Sequence, residues 1–111
     1  FATKNLDKFR DALQNSKDIA SRIRDEGIIA ALNGMMIRPD RVSVLEKGNV
    51  SCLWILGKHD NYINLDSVQK NVKLPSNARL VVLENSGHLG FIEEESESLR
   101  ILSGFIRDLN N

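Results

Sequence analysis

Ser51-Cys52-Leu53-Trp54-Ile55-Leu56-Gly57-Lys58-His59-Asp60 is the stretch from which the fold is read. Its first six residues are an almost uninterrupted apolar run that ends at Gly57. A second run, Arg79-Leu80-Val81-Val82-Leu83-Glu84, follows the turn signal Leu74-Pro75-Ser76-Asn77. Continuous apolar strands of this length belong to parallel sheets covered on both faces. Between the runs, Leu65, Val68 and Val72 share one face of a short helix, so the segment reads as a βαβ unit.

Beyond the second run, residues 93–109 read as an amphipathic helix. Leu99, Leu102, Phe105, Ile106 and Leu109 form its stripe, and Glu93-Glu94-Glu95 stands at the amino end, where the helix dipole favours negative charge. Ahead of the first run the pattern is helical. Leu6, Phe9 and Leu13 recur at helical spacing over residues 4–13. Ser16 is expected to cap a second helix, with Asp18 in its first turn and Ile19, Ala20, Ile23, Ala30 and Ala31 along its stripe. That helix is expected to fail near Asn33-Gly34, with Gly27 as a possible point of division. Arg38-Pro39-Asp40 reads as a turn or helix start.

The expected class is therefore α/β: two parallel strands with flanking helices. An average sheet has about five or six strands, and strands apolar on both faces need neighbours. An incomplete domain is expected, and a chain opening Phe1-Ala2-Thr3 without methionine fits an excised piece. The rival is a small two-stranded domain complete in itself, a type that stands alone poorly.

Composition narrows the function classes. Fifteen acidic and fifteen basic residues cancel, and the basic ones are scattered. Neither nucleic acid nor an anionic membrane is an expected partner. No apolar run approaches the about 20 residues of a membrane span. The single cysteine, Cys52, excludes an intramolecular disulfide and favours a reducing compartment, taken to be the cytoplasm. Its place within a strand makes packing its expected role, and Trp54 is expected to pack between sheet and helix.

Chemistry is expected at the two loops that leave the strands. Asp60 lies four positions past Leu56, and His88 lies five past Leu83. Adjacent parallel strands sit about 4.8 Å apart, so both side chains can meet at the edge where open α/β sheets place their active sites. A carboxylate beside an imidazole is the orienting half of a nucleophilic triad. Against this, Asp60 also suits an Asx-type turn, and His88 a loop position without chemistry. His59 reads as an exposed neighbour. A metal site from His59, Asp60 and His88 lacks a known ligand spacing, and neither metal nor cofactor is expected.

Taken in order, Leu53–Asp60, Leu74–Leu80, Ser86-Gly87-His88 and a closing helix resemble the last two βα units of the α/β-hydrolase fold. The family's acid sits in a G-x-x-D turn, matched by Gly57 and Asp60, and its histidine in an S/A-G-H turn, matched by Ser86, Gly87 and His88. Residues 34–40 are similar to the segment leading from the family's helical cap to its sheet. The resemblance implies a cap remnant over residues 1–45 and the end of the catalytic core over residues 46–111. It also implies that Asp60 and His88 are catalytic, that Met35 and Met36 line a substrate cavity (core filling being the plainer role), and that the substrate is a small ester, lactone or related carbonyl compound.

The departure from the family is as informative. Its nucleophile sits on a G-x-S-x-G elbow, and these 111 residues contain none. Ser86 lacks the flanking pattern. An aspartate nucleophile, as in family members acting on epoxides or carbon–halogen bonds, is the other form of the same expectation. Without a nucleophile and oxyanion donors, the chain alone is expected to be inactive. A rival of a different class is a non-catalytic interaction module that self-associates into homo-oligomers through its open sheet edge.

Overall fold

The computed structural model describes residues 1–48, 50–71 and 74–110. A 3₁₀ turn over Thr3–Asn5 leads into helices α1 (Arg10–Ala20), α2 (Asp25–Ile37) and α3 (Val42–Glu46). Strand β1 (Cys52–Gly57), helix α4 (Leu65–Asn71) and strand β2 (Ala78–Leu83) follow, and α5 (Gly90–Glu93) and α6 (Glu95–Leu109) close the chain. The two strands pair in parallel, from Cys52 opposite Ala78 to Gly57 opposite Leu83. The chain is a mixed α/β protein with a two-stranded parallel sheet and flanking helices. No helix among the described residues is long and apolar enough to cross a membrane.

Local chemistry explains most boundaries. The Asn64 side chain accepts the Ser67 N–H at 2.9 Å and caps α4. Asp40 accepts the Val42 N–H at 2.8 Å, so the Arg38-Pro39-Asp40 segment leads into α3, which begins at Val42. The Pro75 carbonyl accepts the Ala78 N–H at 2.9 Å, and this turn launches β2. Leu65 and Val68 are half-buried, as their helical face requires; Val72, assigned to the same face, lies outside the described residues.

The first helices depart from expectation. Ser16 is inside α1 and not at a cap: its hydroxyl donates to the Ala12 carbonyl at 2.8 Å, the bond that lets serine persist mid-helix. The break comes at residues 21–24, and α2 starts at Asp25, with Asp25 and Glu26 in its first turn. Gly27 therefore lies in the first turn of α2 instead of dividing it, and Asn33-Gly34 does not stop the helix. It ends where Arg38 turns extended (φ −63°, ψ 124°) ahead of Pro39, because proline disfavours helical backbone in the residue before it.

The core is small. Among the described residues, the buried apolar side chains are Ala2, Pro75, Leu83 and Ile101. Cys52 and Trp54 are half-buried within β1. Helix α6 buries Ile101 and half-buries Phe105, while Leu99, Leu102, Ile106 and Leu109 of its expected stripe stay exposed. The apolar stripe and the buried face of α6 therefore differ. Arg79 pairs with Asp108 at 2.7 Å, so the helix returns towards the start of β2.

Candidate active site

Both loops leave the same end of the sheet, and the backbone pairing continues past the strands. The Lys58 N–H donates to the Leu83 carbonyl at 3.0 Å, and the His59 N–H to the Ser86 carbonyl at 2.9 Å. Gly57 permits this approach, since a Cβ there would overlap the carbonyl of Gly87. The Asp60 N–H then turns back to the Gly57 carbonyl at 3.2 Å, which aims the aspartate across the gap.

Asp60 uses its two oxygens differently. Oδ1 accepts the backbone N–H groups of Tyr62 at 2.7 Å and Ile63 at 3.0 Å, forming the Asx-type turn. Oδ2 faces His88 Nδ1 at 2.9 Å. The turn and the imidazole contact coexist on one carboxylate. The Asp60 side chain is only 6% exposed, against 44% for His88. Burial alone would raise the Asp60 pKa, but the Ile63 N–H, the His88 ring and the Tyr62 N–H together hold the carboxyl below its ordinary value. The edge of the Tyr62 ring meets the imidazole at 5.4 Å between centroids, a contact that sequence reasoning did not find.

The carboxylate thus favours the ring form with hydrogen on Nδ1, leaving the Nε2 lone pair for proton transfer. Asp60 and His88 open onto a cleft of about 570 Å³, walled by Ile63, Phe91, Leu99 and Leu102 among others. The uncovered stripe of α6 supplies two of these walls. A few polar groups in a mainly apolar cleft of this size suit a small organic molecule.

The remaining singled-out residues lie elsewhere. Ser86 is fully buried and its hydroxyl donates to Glu94 at 2.6 Å, so it is not presented as a nucleophile. His59 is exposed. Among the described residues, no three His, Cys, Asp or Glu side chains gather as a metal site would need. Met35 and Met36 sit on α2, exposed by 71% and 82%, and are not among the residues lining the cleft. Neither contributes to the core formed by the described residues.

No family model matches this chain, and no curated protein matches it. A buried, ionised carboxylate holding one imidazole nitrogen equips the other to accept and return a proton. Sequence reasoning also passed over Glu93 and Asn5, which meet behind the histidine loop. Their separation along the chain hides that contact from any local pattern.

Proposed function

We propose that this chain is the carboxy-terminal part of a serine-type α/β-hydrolase acting on a small ester, lactone or related compound. The supporting observation is the 2.9 Å contact between Asp60 Oδ2 and His88 Nδ1 at the mouth of an apolar cleft. In the complete enzyme, His88 Nε2 takes the proton from the nucleophile as it attacks the carbonyl and delivers it to the leaving group. Asp60 holds the ring and stabilises the imidazolium formed between the two steps. The nucleophile and oxyanion donors belong to preceding strands, with aspartate in place of serine as the variant for epoxide or carbon–halogen substrates. The half-buried strands, two open sheet edges and uncovered stripe of α6 support such a missing neighbour. Residues 1–45 are then a cap remnant with Met35 and Met36 turned to a cavity completed by the rest of the protein. Cytoplasmic residence accompanies this reading.

Hydrolysis of a chromogenic short-chain ester tests it. The chain alone should give no more turnover than its His88→Ala variant, and a longer protein that contains it together with the nucleophile should give turnover abolished by that substitution. A longer protein whose turnover survives His88→Ala contradicts the reading.

A second reading is favoured by α2, where Ile28, Ile29, Leu32, Met35, Met36 and Ile37 are all exposed. Under it the chain is a non-catalytic module that associates with its own copies through this helix and the open sheet edges.

A further inference from the structure

The loop that carries His88 is held from behind by two consecutive carboxylates. Glu94 Oε2 accepts both the Asn85 N–H at 2.9 Å and the Ser86 hydroxyl at 2.6 Å. Glu93, itself only 5% exposed, uses both oxygens: Oε1 accepts the Gly87 N–H at 2.9 Å, and Oε2 accepts the Ala2 N–H and the Asn5 side-chain amide, each at 2.7 Å. Asn5 also donates to the Asn85 carbonyl at 2.7 Å. On the opposite side, the Ser86 carbonyl accepts the His59 N–H from the loop that carries Asp60. Residues 85–87 are thus fixed between the acid's loop and a buried carboxylate. The imidazole follows one residue later.

We propose that Glu93 is a positioning residue for His88, setting the distance between its ring and Asp60 through the Gly87 N–H. The inference deepens the acid–histidine reading and rests on it. Geometry requires a carboxylate at position 93. A glutamine has one acceptor oxygen, so it can serve Gly87 or the Ala2–Asn5 pair but presents an NH₂ group to the other. Position 94 differs, because one oxygen takes both donors and a glutamine there preserves both bonds. Burial pushes the Glu93 pKa up, yet the bonds from Asn5, Ala2 and Gly87 hold it below its ordinary value. A charged acceptor is therefore present at neutral pH.

Solvent exchange of the His88 Nδ1 proton, followed by NMR in the whole chain, separates positioning from general support. In Glu93→Gln the rate should rise by at least about tenfold, the scale of one lost charge-assisted hydrogen bond. In Glu94→Gln it should stay within about twofold, since no acceptor is lost. Equal rates in the unsubstituted chain and Glu93→Gln, with Asp60→Asn accelerating exchange, overturn the positioning role and leave the acid–histidine pair intact. If Asp60→Asn also leaves the rate unchanged, the pair itself fails. Should Glu93→Gln not fold, the Gly87 amide of the unsubstituted chain decides: exchange slowed with the His88 proton supports the proposal, and exchange at the rate of an open amide overturns it.

Discussion

Gly57 at the end of β1 lies so close to Gly87 that a Cβ on Gly57 would meet the carbonyl oxygen and carbonyl carbon of Gly87. The acid's loop and the histidine's loop are still paired here, since the His59 N–H donates to the Ser86 carbonyl. The absence of a side chain at one residue brings both functional groups within hydrogen-bonding distance.

Gly57→Ala should therefore destabilise the chain by about 2 kcal/mol or more, because the obstacle is backbone and cannot rotate away. Gly104→Ala on α6 is the matched control. A Cβ there meets nothing within 4 Å, so the substitution should gain about 0.5–1 kcal/mol from helix propensity. Urea unfolding midpoints of the two variants check both signs.

Stability should fall in acid, with Asp60 as one identifiable source. Its pKa is lowered in the folded state from 3.8, so the unfolded chain binds the proton more readily. The stabilisation is fully present above the unfolded value and is lost as pH falls through the folded value. Asp60→Asn should be less stable than the unsubstituted chain at neutral pH and should flatten this acid limb. Unfolding free energies collected from pH 7 downward measure the difference.

Glu93→Ala should be among the costlier single changes. It leaves the N–H groups of Ala2 and Gly87 and the amide of Asn5 without their shared acceptor, at about 2–4 kcal/mol overall. Arg10→Ala, which removes an exposed pair with Asp7, should leave the midpoint near its original position. Thermal unfolding followed by circular dichroism compares them.

The elements that generate the sheet were readable locally. Two apolar runs, each closed by polar loop residues, specified the strands to within one residue, and the spacing of Asp60 and His88 from the strand ends anticipated their meeting. The helices were less legible. Ser16 satisfies its hydroxyl on the preceding turn, so a residue type favoured at caps carried no boundary information. Pro39 acted through the residue before it and outweighed Asn33-Gly34 as a stop. On α6, periodicity identified an apolar stripe but not what covers it. Ile101 takes the buried side and Leu99 and Leu102 face the cleft. The tether at Glu93 was invisible because its partners Ala2 and Asn5 lie 91 and 88 residues away.

The exposed apolar surface of α2 and the open edges of the sheet should make the free chain associate. Light scattering at rising concentration should show increasing mean mass, and Ile29→Lys should reduce it, since Ile29 is 57% exposed and a charge there opposes apolar contact. A constant monomeric mass contradicts this expectation.

The nitrogen of the neutral His88 ring that carries hydrogen decides whether the imidazole can act as a base towards a nucleophile. Nitrogen-15 NMR of the imidazole reports it directly, with Asp60→Asn as the comparison. The expected result is hydrogen on Nδ1, bonded to Asp60, with Nε2 unprotonated and free to act as a base. A neutral ring protonated on Nε2, with a spectrum unaltered by Asp60→Asn, would contradict it.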